Sequence, residues 1–249
     1  MRNKSNQLKR YEKKLSTLNQ KEFKQMFSEF KRIVENDNSN FSEFSKIEIN
    51  YERFKELAKA YLVKVFEYNV KSTIRTYTKL FGWGLSKTKI ANIRDVMLSN
   101  YNKKYAAKKA TQLTDTTKEI LNNIIKKAQD EGLGLKGIVE AITTRIEDMG
   151  INRARTIART ETSSAINNTS MKTADESGME EKGWVHIGGR YTSRDNHKRL
   201  NGKWIPIDKK WDLGNGITAM CPHDPDLPIG ELVNCNCLQI YRKRRGESG

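Results

Sequence analysis

The chain has 249 residues, enough to bury the core of one large or two small domains, and its 46 Lys and Arg against 30 Asp and Glu leave a net charge of +16. Hydrophobic residues make up 36% and charged residues 31%, a balance that is low for a compact globule and suits elongated helices with much solvated surface. No run approaches the roughly 18 apolar residues of a bilayer span and Met1 to Gln7 lacks the apolar core of a signal peptide, so membrane and secretory classes are set aside. The expectation is a protein made and kept in a cytosol, or packaged from one, with polyanions such as nucleic acid among its partners.

In chain order, Leu8, Tyr11, Leu15 and Leu18, then Phe23, Met26, Phe27, Phe30, Ile33 and Val34, fall at helical spacing with a shift in the middle, which predicts one or two amphipathic helices. Turn-forming side chains from Asn36 to Asn40 interrupt the pattern. Ile47, Tyr51, Phe54, Ala58, Tyr61, Leu62, Val65 and Tyr68 mark a second long helix, stopped by Gly82 and Gly84. Ser86 caps a third that reaches about Ala110. Its later part carries Lys103, Lys104, Lys108 and Lys109 beside Tyr101 and Tyr105, either a solvated face or a grip on a phosphate backbone. Thr116 and Glu119 have the spacing of a capping box and open a helix that ends at Gly132. Leu135, Ile138, Val139, Ile142, Ile146 and Met149 form the cleanest amphipathic stripe, terminated by Gly150. From Asn152 to Ser177 the stripe is of small residues, Ala154, Ala158, Ala165 and Thr169, with Glu161 among them, a carboxylate that needs a partner; Gly178 closes this helix.

Beyond Gly178 the pattern changes. Trp184 to Ile187 alternates like a strand, Asn201-Gly202 is a hairpin signal between Leu200 and Trp204, and Leu238 to Tyr241 alternates again. The predicted class is α+β: long amphipathic helices followed by a small antiparallel, loop-rich C-terminal domain. A helical docking region would occupy residues 1–110. The second domain, 111–249, would hold helices over 114–178, a small β head over 179–241 and a basic tail over 242–249. In that tail Arg242, Lys243, Arg244 and Arg245 solvate the end or touch nucleic acid.

All three cysteines and two of the three histidines cluster between Gly188 and Arg242. Cys235 and Cys237 are too close in sequence for an unstrained disulfide, but a tight turn lets both thiolates reach one ion. Cys221 is a third candidate ligand and His197 a fourth, with His223 competing for that place. Three thiolates and one imidazole would close the coordination sphere of a structural zinc and pin the loops between Asp208 and Val233. His186 reads as packing or surface. Two enzyme readings stand beside this: a metal-dependent nuclease or hydrolase using His197, His223 and Asp195 or Asp224, and a transferase using Arg159 and Glu161. Ser193, Asp195 and His197 hold the residue types of a triad, although three groups within five residues seldom converge in that relay.

The run Arg153 to Thr162 with its Ile157-Ala158-Arg159-Thr160-Glu161 core, then Ala165 and Asn167, Gly178, Lys182-Gly183-Trp184, Ser193 to His197, Leu200-Asn201-Gly202 and the closing Asn234-Cys235-Asn236-Cys237 resemble the phage head morphogenesis family. This is the family of minor head proteins similar to protein F of phage Mu and its counterpart in phage SPP1. The resemblance covers roughly Thr114 to Tyr241, with Asn236 where the family usually has Arg. It implies a minor head protein of a tailed phage, acting in head assembly and in DNA packaging or ejection. Its partners would be the portal or major capsid protein and double-stranded DNA, and its place the virion interior near the portal.

Overall fold

Apolar residues recurring every three or four positions put most of the chain into helices. The computed structural model describes residues 2–38, 49–188 and 193–244. In order these form α1 (Arg2–Asp37), α2 (Tyr51–Phe81), α3 (Lys87–Asn100), a π-helical turn (Tyr101–Tyr105), α4 (Ala106–Asp130), α5 (Leu135–Glu176), β1 (Glu181–Val185), α6 (Asp195–Leu200), β2 (Trp204–Pro206), β3 (Trp211–Gly214), β4 (Ile217–Ala219), α7 (Ile229–Leu232) and β5 (Leu238–Arg242). The α+β class is borne out. Among the described residues no helix is long and apolar enough to cross a membrane.

Several expected helix boundaries move. The mid-stripe shift does not break α1, which is one helix with Leu8, Leu15, Phe23, Met26, Phe27, Phe30 and Val34 buried along it. Residues 39–48, Ile47 included, lie outside the described residues. Ser86 caps α3 as expected, its hydroxyl oxygen accepting the Lys89 amide at 3.2 Å. No helix begins at Thr116: its hydroxyl donates to the Gln112 carbonyl at 2.8 Å, a bond made inside α4. Nor does Gly150 end a helix, for α5 runs straight through it. A Cβ there would come 2.9 Å from the Cβ of Phe27, so the glycine serves close packing. The true stop is Gly178 at φ +71°, whose amide bonds the Asp175 carbonyl at 3.0 Å while Met179 reaches back to Ala174 at 3.0 Å.

The chain divides into two units, Met1–Ser16 with Phe66–Asn100 and Arg159–Gly249, and Thr17–Val65 with Tyr101–Ala158. Because α1, α2 and α5 each contribute to both, the division does not follow one boundary near residue 110. In the second unit Phe54 stacks on Phe30 with ring centroids 4.0 Å apart. Arg153 spreads over the Phe27 ring and donates to the Thr117 hydroxyl at 2.7 Å.

In the first unit β1 lies between β2 and β5, all antiparallel. Gly183 is required there, since a Cβ would come 2.9 Å from the Trp204 ring that covers it. Arg242 stacks on the same ring, its guanidinium carbon 4.0 Å from the centroid. Beside the sheet, β3 and β4 form a hairpin where irregular loop was expected. Its turn is Gly214-Asn215-Gly216, all three at positive φ. One apolar cluster joins Trp184, Leu200, Trp211, Leu213, Ala219, Leu227 and Leu232 to Cys235 and Cys237. Another joins Leu8, Leu15, Tyr77, Trp83, Ile166 and Ala174 to Leu238 and Tyr241.

Candidate metal centre

Short elements of the first unit bring the chemistry together. The Asn201-Gly202 turn, with Gly202 at φ +78°, links α6 to β2 instead of closing a hairpin. It docks on β1: the Gly202 amide donates to the Trp184 carbonyl at 2.9 Å, and Asn201 Oδ1 accepts the His186 amide at 2.9 Å. The short helix α6 directs His197 inward, edge-on to the Trp184 ring at 5.5 Å between centroids. The one turn of α7 supplies Glu231, and Cys235 and Cys237 lie just before β5.

His197 Nδ1 lies 3.4 Å from Cys235 Sγ and 3.6 Å from Cys237 Sγ. All three residues are buried and their ligand atoms lie within 4.8 Å of one another. His186 Nδ1 joins from the side, 3.5 Å from Cys237 Sγ. His197 Nε2 is bonded to Glu231 Oε2 at 2.8 Å, and the same Glu231 carboxylate also faces Asn196 Nδ2 at 3.4 Å and Arg194 Nε at 3.7 Å. The Cys237 amide donates to Cys235 Sγ at 3.4 Å. Between the two cysteines, the Asn236 side-chain oxygen accepts from the Arg159 guanidinium of α5.

The hydrogen bond from the Cys237 thiol, with the His223 and His197 imidazoles, pulls Cys235 far below the ordinary thiol range. That same bond, with burial, pushes Cys237 far above it. Burial lowers His186. Two thiols that can become thiolates and two imidazoles make a donor set suited to a soft or borderline divalent metal.

Of the four residues expected to bind metal, three meet and one does not. The Cys221 sulfur does not come within 4.8 Å of all three others. It is fully buried in electrostatic reach of Lys182 and Asp224, and burial pushes its thiol up. By the same 4.8 Å measure neither His186 nor His223 belongs to the three-residue group; His223 places Nε2 3.0 Å from the Cys235 carbonyl. His186, read from sequence as packing or surface, is the neighbour that sequence reasoning missed; it was expected inside a strand over Trp184 to Ile187 but lies a single residue past the end of β1, and only the fold shows its ring against Cys237.

The two carboxylates named for hydrolysis are engaged elsewhere. Asp195 pairs with Lys198 at 2.9 Å at the surface, leaving Glu231, not Asp195, on His197. Asp224 accepts the amides of Met220 at 2.8 Å and Asp226 at 3.1 Å. Glu161 is half-buried on α5. Of the basic residues, Lys103, Lys104 and Lys108 are exposed, and Lys109 is half-buried with its ammonium 5.5 Å from the Tyr101 ring centroid. Arg242 belongs to β5 and not to a tail, bonded to Glu181 at 2.6 Å. Lys243 and Arg244 are exposed, and Arg245 lies outside the described residues.

Residues 118–240 match the family model of Phage Mu protein F like proteins. The chain carries a phage Mu F-like domain. The matched segment contains His186, His197, Cys235 and Cys237 together with Glu231, and the match bears out the phage head morphogenesis resemblance. The "Uncharacterized protein YqbB" of Bacillus subtilis (strain 168) is 32% identical over 144 residues, which are 56% of this chain and 46% of that relative. The chain thus spans about half the length of the curated relative it matches. No solved structure matches the chain.

Proposed function

We propose that the protein is a minor head component of a tailed bacteriophage that acts in head assembly, docking on portal or major capsid subunits inside the head. The observation that carries this reading is the phage Mu F-like match over residues 118–240. The same region supports a scaffold over a reactor, because the imidazole of His197 and the sulfurs of Cys235 and Cys237 that it faces are all buried inside the fold, away from any substrate. The net charge of +16 and the exposed Lys103, Lys104 and Lys108 support a second contact, with the backbone of packaged DNA during packaging or ejection.

The test is mass spectrometry of purified procapsids and virions from a phage that encodes the chain, alongside a mutant with a stop codon early in its gene. The protein should be found in the heads of the first, and the mutant should give fewer infectious particles. Heads that lack the protein, with undiminished yield from the mutant, would remove the proposal.

A further inference from the structure

We propose that this protein binds one zinc ion through His186, His197, Cys235 and Cys237, with Glu231 as the group that orients His197. The proposal does not rest on the role in the head. Zinc bonds of about 2.3 Å to sulfur and about 2.0 Å to imidazole, opened to a tetrahedral angle, hold sulfur and nitrogen ligands about 3.5 Å apart. The sulfur–nitrogen separations here are 3.4, 3.6 and 3.5 Å for Cys235–His197, Cys237–His197 and Cys237–His186.

Hydrogen bonds from imidazole to sulfur would have similar lengths, so the other face of His197 decides. Its Nε2 lies 2.8 Å from Glu231 Oε2, and a carboxylate there holds the ring proton on Nε2. Nδ1 then presents a lone pair to two sulfurs inside the fold. Lone pairs converging in a buried space repel unless a proton or a cation lies between them, and one cation serves all three donors at once. The carboxylate, imidazole and thiolates thus form the arrangement in which an outer acid fixes the tautomer of a metal-bound histidine.

The rest of the surroundings suits the same ion. The Cys237 amide bonded to Cys235 Sγ at 3.4 Å sets the tight turn that lets both sulfurs of a Cys-x-Cys face one point. Arg159 ties down the Asn236 side chain between them. His186 touches the group through Cys237 and has its amide held by Asn201, so rotation of its side chain completes the fourth position. Two thiolates with two imidazoles in a tetrahedron select zinc over magnesium or calcium. Binding releases to solvent whatever protons remain on the two sulfurs.

The test uses the full chain. Elemental analysis after dialysis should give one zinc per protein, removable by a strong chelator. Replacement with cobalt(II) should give the visible bands of a tetrahedral ion and the charge-transfer intensity of two thiolates, a count made on the unaltered protein. Cys221→Ser should keep full zinc, His186→Ala should bind more weakly and change the cobalt spectrum, and Glu231→Gln should weaken binding about 10- to 100-fold without changing the stoichiometry. A protein without zinc after purification in its presence, three thiolates on cobalt, zinc lost with Cys221→Ser, or an unchanged cobalt spectrum in His186→Ala would each overturn the assignment.

Discussion

Lys182 shows what burial does to one charge. On β1 its side chain is out of contact with solvent, with Nζ donating to the Met220 carbonyl at 2.8 Å, and burial pushes its pKa down to about 8. In the unfolded chain a lysine titrates at about 10.4. Between those two values the unfolded chain keeps a proton that the folded chain has given up, so stability rises with pH across the window; it declines as pH is lowered toward the folded value and is level below it. Lys182→Met keeps the apolar stem and removes the titration. Urea unfolding from about pH 8 to about pH 10.4 should show the wild type gaining stability relative to this variant, and parallel curves would contradict it. Single residues also explain where sequence alone misleads. Gly150 has the residue type of a helix stop, but whether it stops a helix depends on what faces it, and what faces it is Phe27. Cys221 is of the right type and falls near the other cysteines in sequence, yet the chain leaving β4 delivers it to Lys182. His186 and Glu231 gave no signal, because nothing in a linear pattern says which ring or carboxylate will meet His197 across 11 or 34 residues.

At the scale of elements, the helices were legible because their apolar periodicity is repeated over many residues, and β1 and β5, of five residues each, because alternating runs at Trp184 to Ile187 and Leu238 to Tyr241 mark them. The β3–β4 hairpin was not, although Gly214-Asn215-Gly216 carried its turn signal, because strands of four and three residues show almost no alternation. The joint between α5 and β5 is a further case. β5 is an edge strand, and the helix side chain of Asn167 takes the part of a neighbouring strand: its Nδ2 donates to the Cys237 carbonyl at 3.4 Å and its Oδ1 accepts the Gln239 amide at 3.1 Å. Asn167→Leu keeps the branched shape of the side chain but leaves both buried backbone groups unpaired, which should cost about 2–4 kcal/mol in urea unfolding. A loss below about 1 kcal/mol would mean that those groups find other partners.

At the scale of the whole molecule the charge of +16 governs encounters with polyanions. The proposed contact with packaged DNA predicts binding to duplex DNA that weakens steeply as salt rises and shows no sequence preference, because backbone contact releases counterions without reading bases. Replacing Lys103, Lys104 and Lys108 with Ala should reduce the log–log salt slope by about 0.9 for each phosphate that is no longer neutralised, whereas affinity indifferent to salt would count against backbone binding.

The unit that holds the histidine and cysteine group is assembled from three separate stretches of chain. Leu8 and Leu15 share their apolar cluster with Leu238 and Tyr241, so on a translating ribosome they emerge long before the strand that helps bury them has been made. Throughout that interval α1 offers an uncovered greasy stripe to the cell's chaperones and proteases. Synthesis rate and chaperone supply therefore bear on the yield of this protein through α1, however stable the finished molecule is.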